Sequence, residues 1–213
     1  MTEKYIPVVE IFALASWIDA HGRLAETHPD VALTPVTARE LRELSALDTP
    51  AEVVALCKLP PTETTGIPSG KVSLMLESIR DPGNLGTIIR IADFFAIEQV
   101  ICSPDCADAF NSKTVQATMG SIARVKVTEA VLEAVTGEHT TLPVYAASLH
   151  GKDITAFSPI TEGILLIGNE SKGLSEKMLR LATHQITIPR LGRAESLNAA
   201  VATGIICGRL LLV

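Results

Sequence analysis

From residue 71 onward, short apolar runs alternate with segments whose apolar positions recur every three to four residues. "KVSLMLESI" (71–79) predicts a buried strand, and "NLGTIIRIADFFA" (84–96) predicts a helix with one apolar face. The same beat continues: strand "IEQVICS", helix "SKTVQATMGSIA" preceded by Asn111, strand "RVKVTE" and a helix around "AVLEAVTG". Strands "LPVYAASL" and "GILLIG", helix "SEKMLRLA" and strand "HQITIP" follow. The last helix lies in "SLNAAVATGIICGRLLLV" and is opened by Glu195 or Ser196. Strands that are apolar nearly throughout, alternating with helices, predict a mostly parallel sheet covered on both faces.

The first 62 residues follow another pattern. "VVEIFALASWIDAHG" reads as a strand running into a helix, "TARELRELS" as a short helix capped by Thr37, and "AEVVALCKL" as a strand. This is a small α/β unit, with Trp17 expected to pack in it. Prolines, threonines and glycines in "LPPTETTGIPSGK" mark a linker. The expected division is 1–62 for the small domain, 63–70 for the linker and 71–213 for the large domain.

Composition narrows the class. The 213 residues are 47% hydrophobic and 20% charged, which suits one ordinary globular domain plus a small one. The net charge of -6 leaves no global footprint for nucleic acid, so a polyanion would need a local basic surface. Residues 1–70 hold 5 Lys and Arg against 10 Asp and Glu, so the acidity concentrates in the small unit. The four cysteines form no CxxC pair, the five histidines have no metal spacing, and no metal site is expected. The N-terminal stretch carries acids and does not read as a secretory signal, and no apolar run suffices for a membrane span. A soluble, cytoplasmic protein with reduced thiols is expected.

Three polar or glycine-rich loops each follow a strand and open a helix: "RDPGNLGTIIR" (80–90), "GNESKGLSE" (168–176) and "PRLGRAESLN" (189–198). Loops beyond the carboxyl ends of parallel strands are where ligands bind in such folds. Asn84 is either a helix cap or a functional amide. Arg90, flanked by Ile88, Ile89 and Ile91, is expected to be embedded and to have an anionic partner. Glu170 either pairs with Lys172 or caps the next helix, or else it fixes neighbouring loops. Arg190 and Arg193 are phosphate contacts or plain surface. These patterns reach an α/β enzyme or binding protein with a three-loop site, and they name no reaction.

Together the loops resemble the three motifs of the SpoU/TrmH-type RNA 2'-O-ribose methyltransferases of the SPOUT superfamily. The likeness rests on Asn84 and Arg90 in "DPGNLGTIIRIADFFAIEQVI", on Gly168 and Glu170 in "LLIGNESKGLS", and on Ile188, Pro189, Ser196, Leu197 and Asn198 in "ITIPRLGRAESLNAAVATGI". The first 62 residues resemble that family's ribosomal-protein-like substrate-binding domain in shortened form. Ser171, Arg190, Gln116 and Thr118 depart from the usual pattern and bear on substrate choice. The resemblance implies a SPOUT α/β-knot, with a C-terminal trefoil knot and a homodimer formed through it. It also implies methyl transfer from S-adenosylmethionine to a ribose 2'-hydroxyl of RNA, either rRNA or tRNA, with rRNA preferred. By carry-over, Arg90, Asn84, Glu170, Ser196 and Asn198 serve catalysis, while Gly168, Ile188, Leu197, Ala147 and Ser148 hold the cofactor. Arg90 is then either a base activated by the substrate phosphate or a group that steers the phosphate and stabilises the alkoxide. A non-catalytic RNA-binding protein retaining the fold is the alternative.

Overall fold

The structure is a computed structural model that describes residues 6–45, 47, 49, 51–60 and 66–212. The chain divides into two compact units, Met1–Pro61 and Thr62–Val213. Residues 63–65 of the expected linker lie outside the described residues.

The smaller unit has a three-stranded sheet with β1 (Val8–Ala13) between β2 (Ala32–Pro35) and β3 (Val53–Cys57). β1 runs parallel to β2 and antiparallel to β3. Helices α1 (Ala15–Ala20), α2 (Arg23–Thr27) and α3 (Ala38–Leu44) join them. Thr37 and Glu40 form a capping box that starts α3, and Leu41 is buried, as is Ala13 of β1. The pattern missed α2 and β2, because five and four residues are too few to show a period. Trp17 is only half-buried and stacks on the His21 ring at 4.1 Å, so it is a surface ring pair more than a core residue.

The larger unit holds six strands in the order β6-β5-β4-β8-β7-β9, every neighbouring pair parallel. They are β4 (Val72–Leu76), β5 (Gln99–Cys102), β6 (Lys126–Glu129), β7 (Val144–Asp153), β8 (Gly163–Ile167) and β9 (His184–Thr187). All residues of β4, β5 and β8 are buried, and apart from Ser73 and Gln99 they are apolar or glycine, as burial on both faces requires. Met75, Ile164 and Leu166 join one core cluster with Leu132 of α6 (Leu132–Glu138) and Met178 of α7 (Glu176–Leu181). Residues alternate across a strand, so Leu74, Leu76 and Leu165 face the other way. On that side belong α4 (Pro82–Phe94), α5 (Ser112–Thr118) and α8 (Ala199–Leu211), with α4 packed against both of the others.

The α4–α5 packing depends on one glycine. A methyl group on Gly86 would lie 2.5 Å from both the Ala117 Cβ and the Thr114 carbonyl oxygen. Alanine is favoured over glycine inside a helix by about 1 kcal/mol, but overpacking of this kind costs about 1–3 kcal/mol. Gly86→Ala is therefore expected to lower the Tm by a few degrees, as read by calorimetry. A rise in Tm would mean that the two helices separate freely.

Two expected boundaries move. β7 does not end at Leu149 but runs on to Asp153, with an irregular register between Ala147 and Lys152, both of which face Ile186 of β9. The extra residues form a bulge that a two-residue period cannot reveal. α8 opens at Ala199, not at Glu195 or Ser196. Its cap is Asn198, whose Oδ1 accepts from Ala200 N (2.9 Å) and Val201 N (3.2 Å).

Candidate active site

The sheet order reverses between β4 and β8: β5 and β6 follow β4 to one side, while β8, β7 and β9 lie on the other. Leu76 pairs with Ile167 at the carboxyl ends of these two central strands, so the segments after them emerge side by side. Such a switch point forms the crevice of an open α/β sheet.

The 80–90 loop opens α4 with Asp81 as its cap, whose Oδ1 accepts from Asn84 N (2.8 Å), and with Pro82 in the first turn. Asp81 takes the capping role considered for Asn84 and leaves the Asn84 side chain free to act elsewhere. The D-P-G-N spacing could have shown this, since proline suits the first helical position and aspartate the one before it.

Asn84 Nδ2 donates to Glu170 Oε1 at 2.5 Å, and Asn84 Oδ1 accepts from Asn198 Nδ2 at 2.8 Å. An ionised carboxylate can only accept, so Glu170 fixes which end of the Asn84 amide faces it. That leaves the Asn84 oxygen for Asn198, whose own oxygen caps α8. One carboxylate thus orients two amides and ties three loops that are 86 and 114 residues apart from Asn84 in sequence. Neither of the plainer readings of Glu170 holds, because Ser175 caps α7 and Glu170 binds Asn84 rather than Lys172.

Gly168 follows β8 where two backbones meet. A methyl group there would lie 2.5 Å from the Gly173 carbonyl carbon and from Leu174 N. The 168–173 loop closes on itself by a bridge between Asn169 and Gly173. Asn169 Oδ1 accepts from Ser171 N (2.9 Å) and Lys172 N (3.2 Å), while its Nδ2 donates to Ser78 O (2.9 Å). Ala147 and Ser148, half-buried on β7, and Ile188, half-buried just after β9, lie on the adjoining strands at the same edge. Leu197 is 44% exposed and Leu191 fully so. The peptide N–H groups of residues 190–197 donate to no described residue.

Two candidates stand apart from this network. Ser196 is exposed and makes no hydrogen bond with the described residues. Arg90 was expected to be embedded with an anionic partner. Instead it is exposed, with no ion pair among the described residues, while Ile88 and Ile89 take the buried positions. It projects outward because adjacent residues of a helix are turned by about 100° from one another. Arg190 and Arg193 are exposed as well.

A further polar group supports the start of the loop. Ser78 has a left-handed backbone (φ 59°), its N donates to Ser103 Oγ (2.9 Å), and its Oγ donates to Asp105. Ser103 Oγ donates to Asp105 Oδ1 (2.6 Å). These two hydroxyls, Ser103 foremost, hold the Asp105 carboxyl below its usual range. Beneath it, the Cys106 sulfur accepts from Ile79 N (3.3 Å). The neighbouring Cys102 thiol hydrogen-bonds to Cys106 and pulls it down to about 6, although burial opposes the shift. Serine and aspartate in a loop carry no distinctive spacing, so no pattern pointed to this group. Among the described residues, no cluster of His, Cys, Asp or Glu could hold a metal ion, and no helix is long and apolar enough to cross a membrane.

Parallel strands with a switch point, and three loops joined there by Glu170, Asn84 and Asn198, define an α/β protein built to hold a polar ligand at its strand ends. The family follows from the match of residues 71–208 to the model of the SpoU rRNA methylase family: the chain belongs to it. It is 32% identical to the 23S rRNA (guanosine(2553)-2'-O)-methyltransferase RlmP of Bacillus subtilis over 75% of this chain and 64% of that protein. It is 31% identical to a 23S rRNA (uridine(2479)-2'-O)-methyltransferase of Streptomyces viridochromogenes over 89% of this chain and 69% of that protein. The chain thus spans about two thirds of the length of these curated relatives. Among solved structures it resembles the SpoU methyltransferase AviRb of S. viridochromogenes in complex with AdoMet (TM-score 0.79, 26% identity, 98% and 83% of the two chains). It also resembles an AdoMet-bound rRNA methyltransferase of Sinorhizobium meliloti (TM-score 0.82, 28% identity, 96% and 80% of the two chains).

Proposed function

We propose that the protein transfers a methyl group from S-adenosylmethionine to a ribose 2'-hydroxyl of RNA, with rRNA preferred over tRNA, in the cytoplasm. The observation that carries this is the Glu170–Asn84–Asn198 chain, which joins all three family motifs in one place. The strand-end loops suit the donor: free peptide N–H groups at 190–197 match its polar atoms, and Ile188, Leu197 and Ala147 offer apolar surface. Gly168, Ile188, Leu197, Ala147 and Ser148 would hold it, and it supplies an activated methyl group on a sulfonium.

The rest is positioning by the chain itself. Asn84, held by Glu170, orients the ribose. Arg90 faces solvent with its donors free, ready for a substrate phosphate and for charge developing on the 2'-oxygen. A guanidinium has five donors and no acceptor, so an electrostatic role is the stronger reading of Arg90 than that of a base. Glu170 holds loops rather than moving a proton. Ser196 and Asn198 complete the site, Asn198 by its bond to Asn84. The family trefoil knot is part of the proposal: β9 is an edge strand, yet Asn198 reaches Asn84, so residues 188–198 must cross the ends of β7 and β8. So is a homodimer, which Val201, Ile205 and Leu212 on the outer side of α8 support by their exposure. The first 62 residues are read as the RNA-binding unit.

Titration calorimetry with S-adenosylmethionine, followed by mapping of 2'-O-methyl sites in total RNA with and without the gene, tests the reading. Binding together with loss of one defined mark is expected. Absence of binding would favour a non-catalytic RNA-binding role instead.

A further inference from the structure

Arg80 immediately precedes the cap of α4, four residues before Asn84. Its side chain is 70% exposed, and among the described residues it makes one ion pair, from Nη2 to Asp105 Oδ2 at 3.4 Å. The other donors of its planar fork have no partner among the described residues. Asp105 is anchored in turn by Ser103 and Ser78. Ser78 is held on three sides: by Ser103, by Asp105, and through its carbonyl by Asn169, the neighbour of Glu170. A non-glycine residue in the left-handed region is strained and persists only where its surroundings over-determine it. The over-determination here fixes the direction in which the chain leaves Ser78, and so where Arg80 stands relative to Asn84.

We propose that Arg80 binds the phosphate flanking the ribose that Asn84 orients, and that Asp105 is the positioning residue that aims it. The proposal rests on the methyl-transfer reading above. An arginine is suited to this role because its fork meets two phosphate oxygens at once, whereas lysine offers a point charge. An exposed ion pair alone would give the pair little purpose, since such pairs contribute little to stability.

Simple surface electrostatics and the proposed aiming differ in sign. Removing the negative charge of Asp105 should improve RNA binding if charge is all that matters. If Asp105 aims Arg80, Asp105→Asn lowers kcat/KM for the methylated RNA despite the more positive surface. The test compares Arg80→Gln, Arg80→Lys, Asp105→Asn and the Arg80→Gln/Asp105→Asn double variant with the wild type. Arg80→Gln is expected to lower kcat/KM by about tenfold, mainly through KM, with the affinity for S-adenosylmethionine within twofold. Arg80→Lys keeps the charge but recovers only part of kcat/KM. The double variant is no worse than Arg80→Gln, because the two residues act as one unit.

Binding of an oligouridylate to the Arg80→Gln variant across a salt series gives a readout free of turnover. The slope of log affinity against log salt falls by about 0.7, the loss of one single-strand phosphate contact. A higher kcat/KM in Asp105→Asn, additive losses in the double variant, or an unchanged salt slope in Arg80→Gln would overturn the proposal. If Asp105→Asn does not fold, the contrast between Arg80→Gln and Arg80→Lys decides it: partial or no recovery in Arg80→Lys supports a need for the fork, and full recovery refutes it. A wild-type protein that neither binds S-adenosylmethionine nor methylates RNA would instead refute the underlying reading, while the oligouridylate slope would still report on Arg80.

Discussion

Arg90→Ala is expected to reduce methyl transfer by about two to three orders of magnitude, the range seen when a donor to developing charge is removed. The affinity for S-adenosylmethionine should stay within about twofold of wild type. Arg90 lies six residues beyond Asn84 on α4, about 9 Å along the helix axis, away from the 168–173 and 188–198 segments assigned to the donor. Stability should hardly change, because Arg90 is exposed and has no ion pair among the described residues; such surface substitutions fall within about 0.5 kcal/mol. Single-turnover kinetics with calorimetry for the donor would check this. Full turnover in the variant would show that the assignment of Arg90 is wrong, whatever the family pattern.

The complementary loss is expected from Gly168→Ala. The added methyl group meets main-chain atoms of Gly173 and Leu174 at 2.5 Å, and no side chain can swing aside to relieve it. The 168–173 loop must open, breaking the Asn169–Gly173 bridge and shifting Asn169 away from Ser78. Glu170 moves with it, so Asn84 loses the acceptor that orients it. Removing a hydrogen bond to a charged group costs about 1.5–3 kcal/mol, on a loop whose displacement also spoils the donor site. Donor affinity should fall by at least tenfold while the strands of the core keep their circular dichroism. Wild-type affinity in this variant would place the donor elsewhere. Together the two substitutions separate turnover from binding: one leaves the donor bound and unused, and the other leaves the fold without its donor.

The three loops were legible because each carries unusual residue types at a strand end, and their joint order identified the family. Several local roles were not legible. Asn84, Glu170 and Asn198 each admit a local explanation as cap, turn or ion pair, and only their mutual bonds exclude it. The burial of Arg90 was misjudged because isoleucines on both sides say nothing about the face of the residue between them. The start of α8 was misplaced by two or three residues because Glu195, Ser196 and Asn198 are all plausible openers; the bonds of Asn198 to Ala200 and Val201 select one. The support by Asp105, Ser103 and Ser78 left no trace in the pattern, since it joins ordinary polar residues about 25 positions apart.

Hydrophobic periodicity alone determined that residues 71–213 form a mostly parallel, two-sided sheet, because strands buried on both faces must be apolar throughout and helices must turn one face inward. Tertiary structure alone decided which polar side chains meet, since contacts across 86 or 114 residues depend on strand order and register rather than on local propensity. The order β6-β5-β4-β8-β7-β9 brings the ends of β4 and β8 together, and from that adjacency the site follows.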